Sequence, residues 1–291
     1  MAVLSLRAVR RKIRTVKNIQ KITAAMKMVA AARLRRVQER VTSGKPYALK
    51  MHELVESISP YAAGLQHPLL EVREAAHAAV VVISGDKGLC GSFNNNILRL
   101  AQAFIDAHGG PRVQVLTIGR KATLYFTKRG YRVVKSFPQI GVNAPLSEVQ
   151  VIARAMTEVF TEKRADQVHV AYTEFLSAMR QKPQIVEFLP IRPNEGARCA
   201  AGTQDCIFEP DAARLLETLL PRFVENQVYK FLLESMASEQ GARMTAMTNA
   251  TDSAGDLLGD LTTTLNKARQ WTITKELLEV VSGAEALKAA H

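Results

Sequence analysis

The chain has 291 residues, 47% of them apolar and only 6% aromatic, and carries a formal net charge of +12. That apolar share excludes wholesale disorder and supports one large domain or two small ones. The charge is unevenly placed: residues 1–50 hold 14 Lys and Arg against a single acid, Glu39, for a net +13, whereas residues 211–291 net −3. The longest apolar run, Ala78–Ile83, is far short of the ~20 residues that cross a bilayer. The N-terminus lacks an apolar signal-peptide core. Its Arg-rich, acid-poor composition matches a transit peptide, but the helical pattern running on to about residue 58 argues against that. Three cysteines, Cys90, Cys199 and Cys206, do not make a disulfide scaffold, so the chain is expected to be intracellular.

Ser5 to about Ser57 reads as one long helix. Leu6, Val9, Ile13, Val16, Ile19, Ile22, Met26, Val29, Leu34, Val37 and Val41 recur at spacings of three to five residues, the stripe of a helix that meets a partner. Ser43-Gly44-Lys45-Pro46 predicts a break or kink, and Ser59-Pro60 a stop. A linker with Gly64 and Pro68 follows. Ala78–Ser84 (AAVVVIS) is a short β-branched run, as in a strand buried on both faces. Beyond it come a glycine-rich loop (Gly85–Gly91), a helix over Asn94–His108, a strand over Val113–Ile118, a helix over Arg120–Arg129 and a strand over Tyr131–Lys135. A helix over Leu146–Arg164 and strands over Gln167–Tyr172 and Gln184–Leu189 complete the series. Strands alternating with helices predict a Rossmann-like α/β domain with a mostly parallel sheet.

From Asp211 to about Leu287 a single helical pattern returns, with Pro221 expected at its start or at a helix junction. About 76 residues at ~1.5 Å each make a rod of roughly 110 Å. A seven-residue seam runs along it: Ala237, Met244, Thr251, Leu258, Leu265 and Thr272 at one position, Gln240, Met247, Ala254, Leu261 and Ala268 at the other. Small and polar members make this a weak zipper that needs a partner helix. Near its end Trp271, Ile273, Leu277, Leu278, Val280 and Val281 exceed a one-face stripe, so this end is expected to be enclosed by other subunits. The predicted fold is therefore α/β plus a long antiparallel coiled coil. The helices of residues 1–59 and 211–287 pair around an inserted domain of residues 76–190.

The loop Gly85-Asp86-Lys87-Gly88-Leu89-Cys90-Gly91 offers two readings, an anion-binding turn or a tight strand-to-helix connection. It lacks the Gly-Lys-Ser/Thr ending of a P-loop and the spacing of a dinucleotide fingerprint, which favours the plain connection. The basic first helix suits nucleic-acid phosphates or an acidic protein surface equally well. Cys199 and Cys206 are a redox pair or ordinary loop thiols. The six histidines show no metal-ligand spacing, and no nucleophile or zinc-protease motif occurs. No catalytic residue, metal or cofactor is expected.

Four stretches carry a resemblance: Ile13–Arg36 (IRTVKNIQKITAAMKMVAAARLRR), Gly85–Ile97 (GDKGLCGSFNNNI), Glu234–Gly255 (ESMASEQGARMTAMTNATDSAG) and Asn266–Leu287 (NKARQWTITKELLEVVSGAEAL). Together they resemble the gamma subunits of bacterial-type F-type ATP synthases. The resemblance implies a non-catalytic rotor shaft inside a ring of three alpha and three beta subunits. The α/β domain would join the epsilon subunit and the membrane c-ring. The chain would sit peripherally on the cytoplasmic face of the cell (inner) membrane, with no direct membrane insertion and no nucleic-acid partner. ATP would be made or hydrolysed on the beta subunits. Coupling contacts carry over to Met26, Lys27, Arg243, Arg269, Gln270 and Thr274, and Arg33, Arg35 and Arg36 are expected near acidic beta-subunit loops. Met26 is expected to face the C-terminal helix near Arg269. Trp271 departs from the small residue expected there. Cys199/Cys206 resembles a chloroplast dithiol without its surrounding insertion. The alternative is a basic helical-hairpin protein that binds nucleic acid.

Overall fold

In the computed structural model, residues 6–58, 67–74, 77–139, 141, 145–192 and 211–289 are described. Five helices lie among them: α1 (Leu6–Ile58), α2 (Phe93–Ala107), α3 (Arg120–Lys128), α4 (Leu146–Thr161) and α5 (Ala212–Ala289). The five strands are β1 (Ala78–Ile83), β2 (Gln114–Ile118), β3 (Val133–Phe137), β4 (Gln167–Phe175) and β5 (Gln181–Leu189). They form one sheet in the order β3-β2-β1-β4-β5. The first four are parallel, and β5 returns antiparallel to β4. The chain divides into two units: residues 1–29 with 246–291, and residues 30–245. Each long helix contributes to both.

The larger unit has three layers, because β1 is apolar on both faces. Ala79, Val81 and Ile83 pack against α4 (Val149, Met156, Phe160) and against α5, whose Leu216, Leu220, Val224 and Val228 recur every fourth residue. Val55 and Ile58 of α1 close the same cluster. Val80 and Val82 face the other way, onto Ile97, Ala101 and Ile105 of α2 and Phe126 of α3. A third cluster joins Leu34 and Val37 of α1 to Leu233, Met236 and Ala237 of α5, with Phe175 and Ala178 of the β4–β5 hairpin beside it. One close approach requires glycine. Gly119 has φ +96°, and a Cβ there would collide with the carbonyl oxygen of Ser84.

In the smaller unit α1 and α5 run antiparallel: Thr23 lies against Thr251, hydroxyl to hydroxyl at 2.8 Å, and Gln20 against Gly255. From Thr251 to Thr272 the shielded positions of α5 are Thr251, Ala254, Gly255, Leu258, Leu261, Leu265, Ala268 and Thr272. Apart from Gly255 these are the predicted seam.

Four expectations need correction. The helix α1 is not broken at Ser43–Pro46, and Pro221 lies inside α5 rather than at its start. Each proline removes one ladder bond, to Thr42 or to Glu217. Both of those residues are exposed, where a freed carbonyl costs least. The stripe of α1 is shifted in part: Leu6, Val9, Ile13, Val16, Met26, Leu34 and Val37 are shielded as expected, but four members are not. Ile19, Ile22, Val29 and Val41 are exposed, and Gln20, Thr23 and Ala30 hold the inner positions. Finally, the pairing of Thr23 with Thr251 sets Met26 level with residue 248, some twenty residues from Arg269.

Candidate functional site

Among the described residues, much of the exposed apolar surface lies on faces of the two long helices. On α1 the apolar side chains shifted off the seam point outward, with Ile22 at 59% exposure beside Ile19, Met28 and Val29. The inner positions go to small or polar residues, which let two backbones approach closely at the cost of hydrophobic area. Towards its C-terminal end α5 leaves large apolar side chains uncovered among Lys275, Glu276 and Glu279: Trp271 is 53% exposed and Val280 71%, with Ile273, Leu277, Leu278 and Val281 alike. Apolar surface on this scale marks an interaction site.

Of the residues singled out by resemblance, Met26 is half-buried beside the seam and Lys27 is exposed. Arg33, Arg35 and Arg36 are exposed, and Arg35 holds Glu39 one turn on at 3.1 Å. Arg269, Gln270 and Thr274 are exposed on α5, where the Thr274 hydroxyl donates to the Gln270 carbonyl at 3.0 Å. They lie in the smaller unit with Met26 and Lys27, but at separate levels. Cys199 and Cys206 lie outside the described residues.

Arg243 differs from the others. It is buried in the larger unit, with its guanidinium 2.5 Å from Glu239 Oε1 and 3.4 Å from the Gly88 carbonyl. This ties α5 to the glycine-rich loop. Two of the loop's donors are occupied by the protein, Gly85 N–H by Asn94 Oδ1 at 2.9 Å and Asp86 N–H by Gln139 Oε1 at 3.2 Å. The carboxylate of Asp86 takes the N-terminus of α3, accepting from Arg120 N–H at 2.7 Å. Cys90, buried behind Asn94, has its thiol pushed up by burial, with Arg243 opposing. The loop is a connection that grips α5.

Sequence reasoning missed Glu239, Gln139, Asp86 and Asn94. Their signal was faint but present. Ser235, Ser238, Glu239, Gln240 and Arg243 place polar groups at helical spacing where the pattern calls for apolar ones, and all are buried. Among the described residues no group of three or more His, Cys, Asp or Glu is arranged to hold a metal.

A family model described as ATP synthase matches residues 5–287. The chain is 44% identical over 286 residues to the ATP synthase gamma chain of Desulforamulus reducens, covering 98% of this chain and 99% of that one. It is 45% identical over 289 residues to the gamma chain of an Anaeromyxobacter species, with the same coverage. Among solved structures it is similar to a chain of the Tetrahymena thermophila mitochondrial ATP synthase central stalk and c-ring, with TM-score 0.61, 26% identity, and coverage of 79% of this chain and 99% of that chain. A chain from the Euglena gracilis mitochondrial ATP synthase, solved in rotational state 3, shares the fold with TM-score 0.69 at 20% identity, covering 98% of this chain and 95% of that one.

Proposed function

Because the chain belongs to the family of ATP synthase gamma chains, we propose that it is the central rotor shaft of such an enzyme, coupling proton translocation to ATP synthesis and hydrolysis by rotation. The observation that carries this reading is the outward-facing apolar surface of the two long helices. A helix pair that keeps Thr23 and Thr251 inside and leaves Ile22, Trp271 and Val280 outside is built to be enclosed. A ring of three alpha and three beta subunits supplies that enclosure. In this reading the beta subunits make or hydrolyse ATP, and this chain carries no active site. Exposed Lys27, Arg33, Arg35 and Arg36 face acidic loops of the beta subunits, and Arg269, Gln270 and Thr274 meet the ring higher up.

The α/β layer joins the epsilon subunit and the c-ring and holds the shaft on the cytoplasmic face of the cell (inner) membrane. Among the described residues no helix is long and apolar enough to cross a membrane. The nucleic-acid alternative is set aside, since relatives matched over nearly the whole chain are gamma chains. The test is single-molecule rotation of the assembled alpha–beta ring with a probe fixed to the α/β layer. ATP should drive unidirectional turning. Hydrolysis by an assembled complex whose probe stays still would overturn the reading.

A further inference from the structure

Apolar packing between a helix and a sheet is non-directional, so it resists separation better than it resists sliding. A shaft that carries torque into the α/β layer needs directional bonds as well. Glu239 supplies one of them directly and braces a second through Arg243. Glu239 is 2% exposed and uses both carboxylate oxygens: Oε1 holds Arg243, and Oε2 accepts from the side-chain amide of Gln139. Gln139 is in turn bonded both ways to Asp86, its Oε1 accepting from Asp86 N–H at 3.2 Å and its own N–H donating to Asp86 Oδ1 at 3.4 Å. Asp86 holds the first amide of α3, and Arg243 reaches the Gly88 carbonyl. Through one carboxylate, α5 is therefore linked to the loop after β1, the segment after β3 and the start of α3. The fit leaves no slack on the loop side, since a Cβ at Gly85 would stand 2.9 Å from Glu239 Oε1. Ser235 and Ser238 add bonds to the backbone of Thr173 on β4.

We propose that Glu239 is the tie that makes α5 and the α/β layer turn as one body, a positioning residue for the rotary step; this rests on the rotor reading above. Its burial keeps it off the ring, so its effect reaches coupling through the grip and not through a partner contact.

The test uses membrane vesicles carrying the complete complex with Glu239→Gln or Gln139→Ala, and compares ATP-driven proton pumping per ATP hydrolysed with and without a steep opposing gradient. Removing one partner of a buried ion pair is a large local loss, so Glu239→Gln should lower the pumping ratio roughly tenfold more against the gradient than without it. Gln139→Ala leaves the ion pair in place and should shift the ratio in the same direction by less. It decides the matter if Glu239→Gln does not assemble. An equal loss with and without the gradient, or none, overturns the tie. A second readout is independent of rotation. Exchange of the Asp86 and Gln139 amides should quicken about a hundredfold in Glu239→Gln, and unchanged protection overturns the tie as well. If wild-type vesicles hydrolyse ATP without pumping, the rotor reading falls, and amide exchange still reports on the grip.

Discussion

Gly119 and Gly88 flank the same corner of the sheet but answer to different constraints. Gly119 lies at φ +96° with the Ser84 carbonyl against its Cα, whereas around Gly88 an added Cβ would meet nothing within 4 Å. Gly119→Ala should cost about 3–5 kcal/mol through strained backbone and overpacking, and Gly88→Ala about 0.5 kcal/mol at most. Urea midpoints of the two variants check the contrast. Glu234 makes a second case. Burial raises its pKa, Glu174 adds to the rise and Lys230 opposes it, and Oε2 is buried with no hydrogen-bond partner. A carboxyl whose folded pKa is raised keeps its proton longer in the native chain than in the unfolded one. Stability therefore falls as pH rises from the unfolded value through the folded one. Glu234→Gln should be the more stable protein at neutral pH, with the advantage vanishing as pH drops below the unfolded carboxyl range. A difference that persists in acid would mean the carboxylate is not the cause. Neither environment can be read from the sequence, because Ser84 and Glu174 are brought in by the fold.

At the scale of elements, the strands and the α5 seam were legible because a single periodicity governs each. β1 is apolar at every position, and the seam from Thr251 to Thr272 repeats in threes and fours. The α1 stripe was legible towards its two ends, where Val9, Ile13, Val16, Leu34 and Val37 are shielded, but not between residues 19 and 29, where two stripes compete. Ile19, Ile22 and Val29 are the stronger hydrophobes, yet Gln20, Thr23 and Ala30 face α5. An apolar pattern reports which face is buried in the working assembly, not which partner buries it. This separates two kinds of substitution. Ile22→Ala should leave the thermal melt of the isolated chain within about 0.5 kcal/mol, yet weaken its assembly with the alpha–beta ring by about 2 kcal/mol or more. Native mass spectrometry of mixtures at limiting concentration measures the second effect. Loss of stability in the isolated chain would put Ile22 back on the inner seam. Among the residues singled out by resemblance Arg243 is the buried one, and the sequence shows this only faintly, through the polar run of Ser235, Ser238, Glu239 and Gln240 that shares its burial.

For the molecule as a whole, charge is the large-scale variable. The first fifty residues net +13 and residues 211–291 net −3, and Arg33, Arg35 and Arg36 stand exposed on α1. A field of that kind speeds encounter with an acidic partner and is screened over about 10 Å at 0.1 M salt. Association of the chain with the ring should therefore slow about tenfold between low and moderately high ionic strength, while dissociation changes little. Stopped-flow mixing separates the two rates, and a salt-independent association rate would remove the steering role from α1. The same placement bears on synthesis. Thr23 meets a partner 228 residues later in the chain, which at ribosomal speed is a delay of roughly 10–45 s. Through that interval α1 has left the tunnel with Ile19, Ile22 and Val29 uncovered and the helix that will pair with it not yet made. Many ribosomes on one message would then hold many such helices close together. Their shared positive charge, +13 over the first fifty residues, opposes contact between such copies.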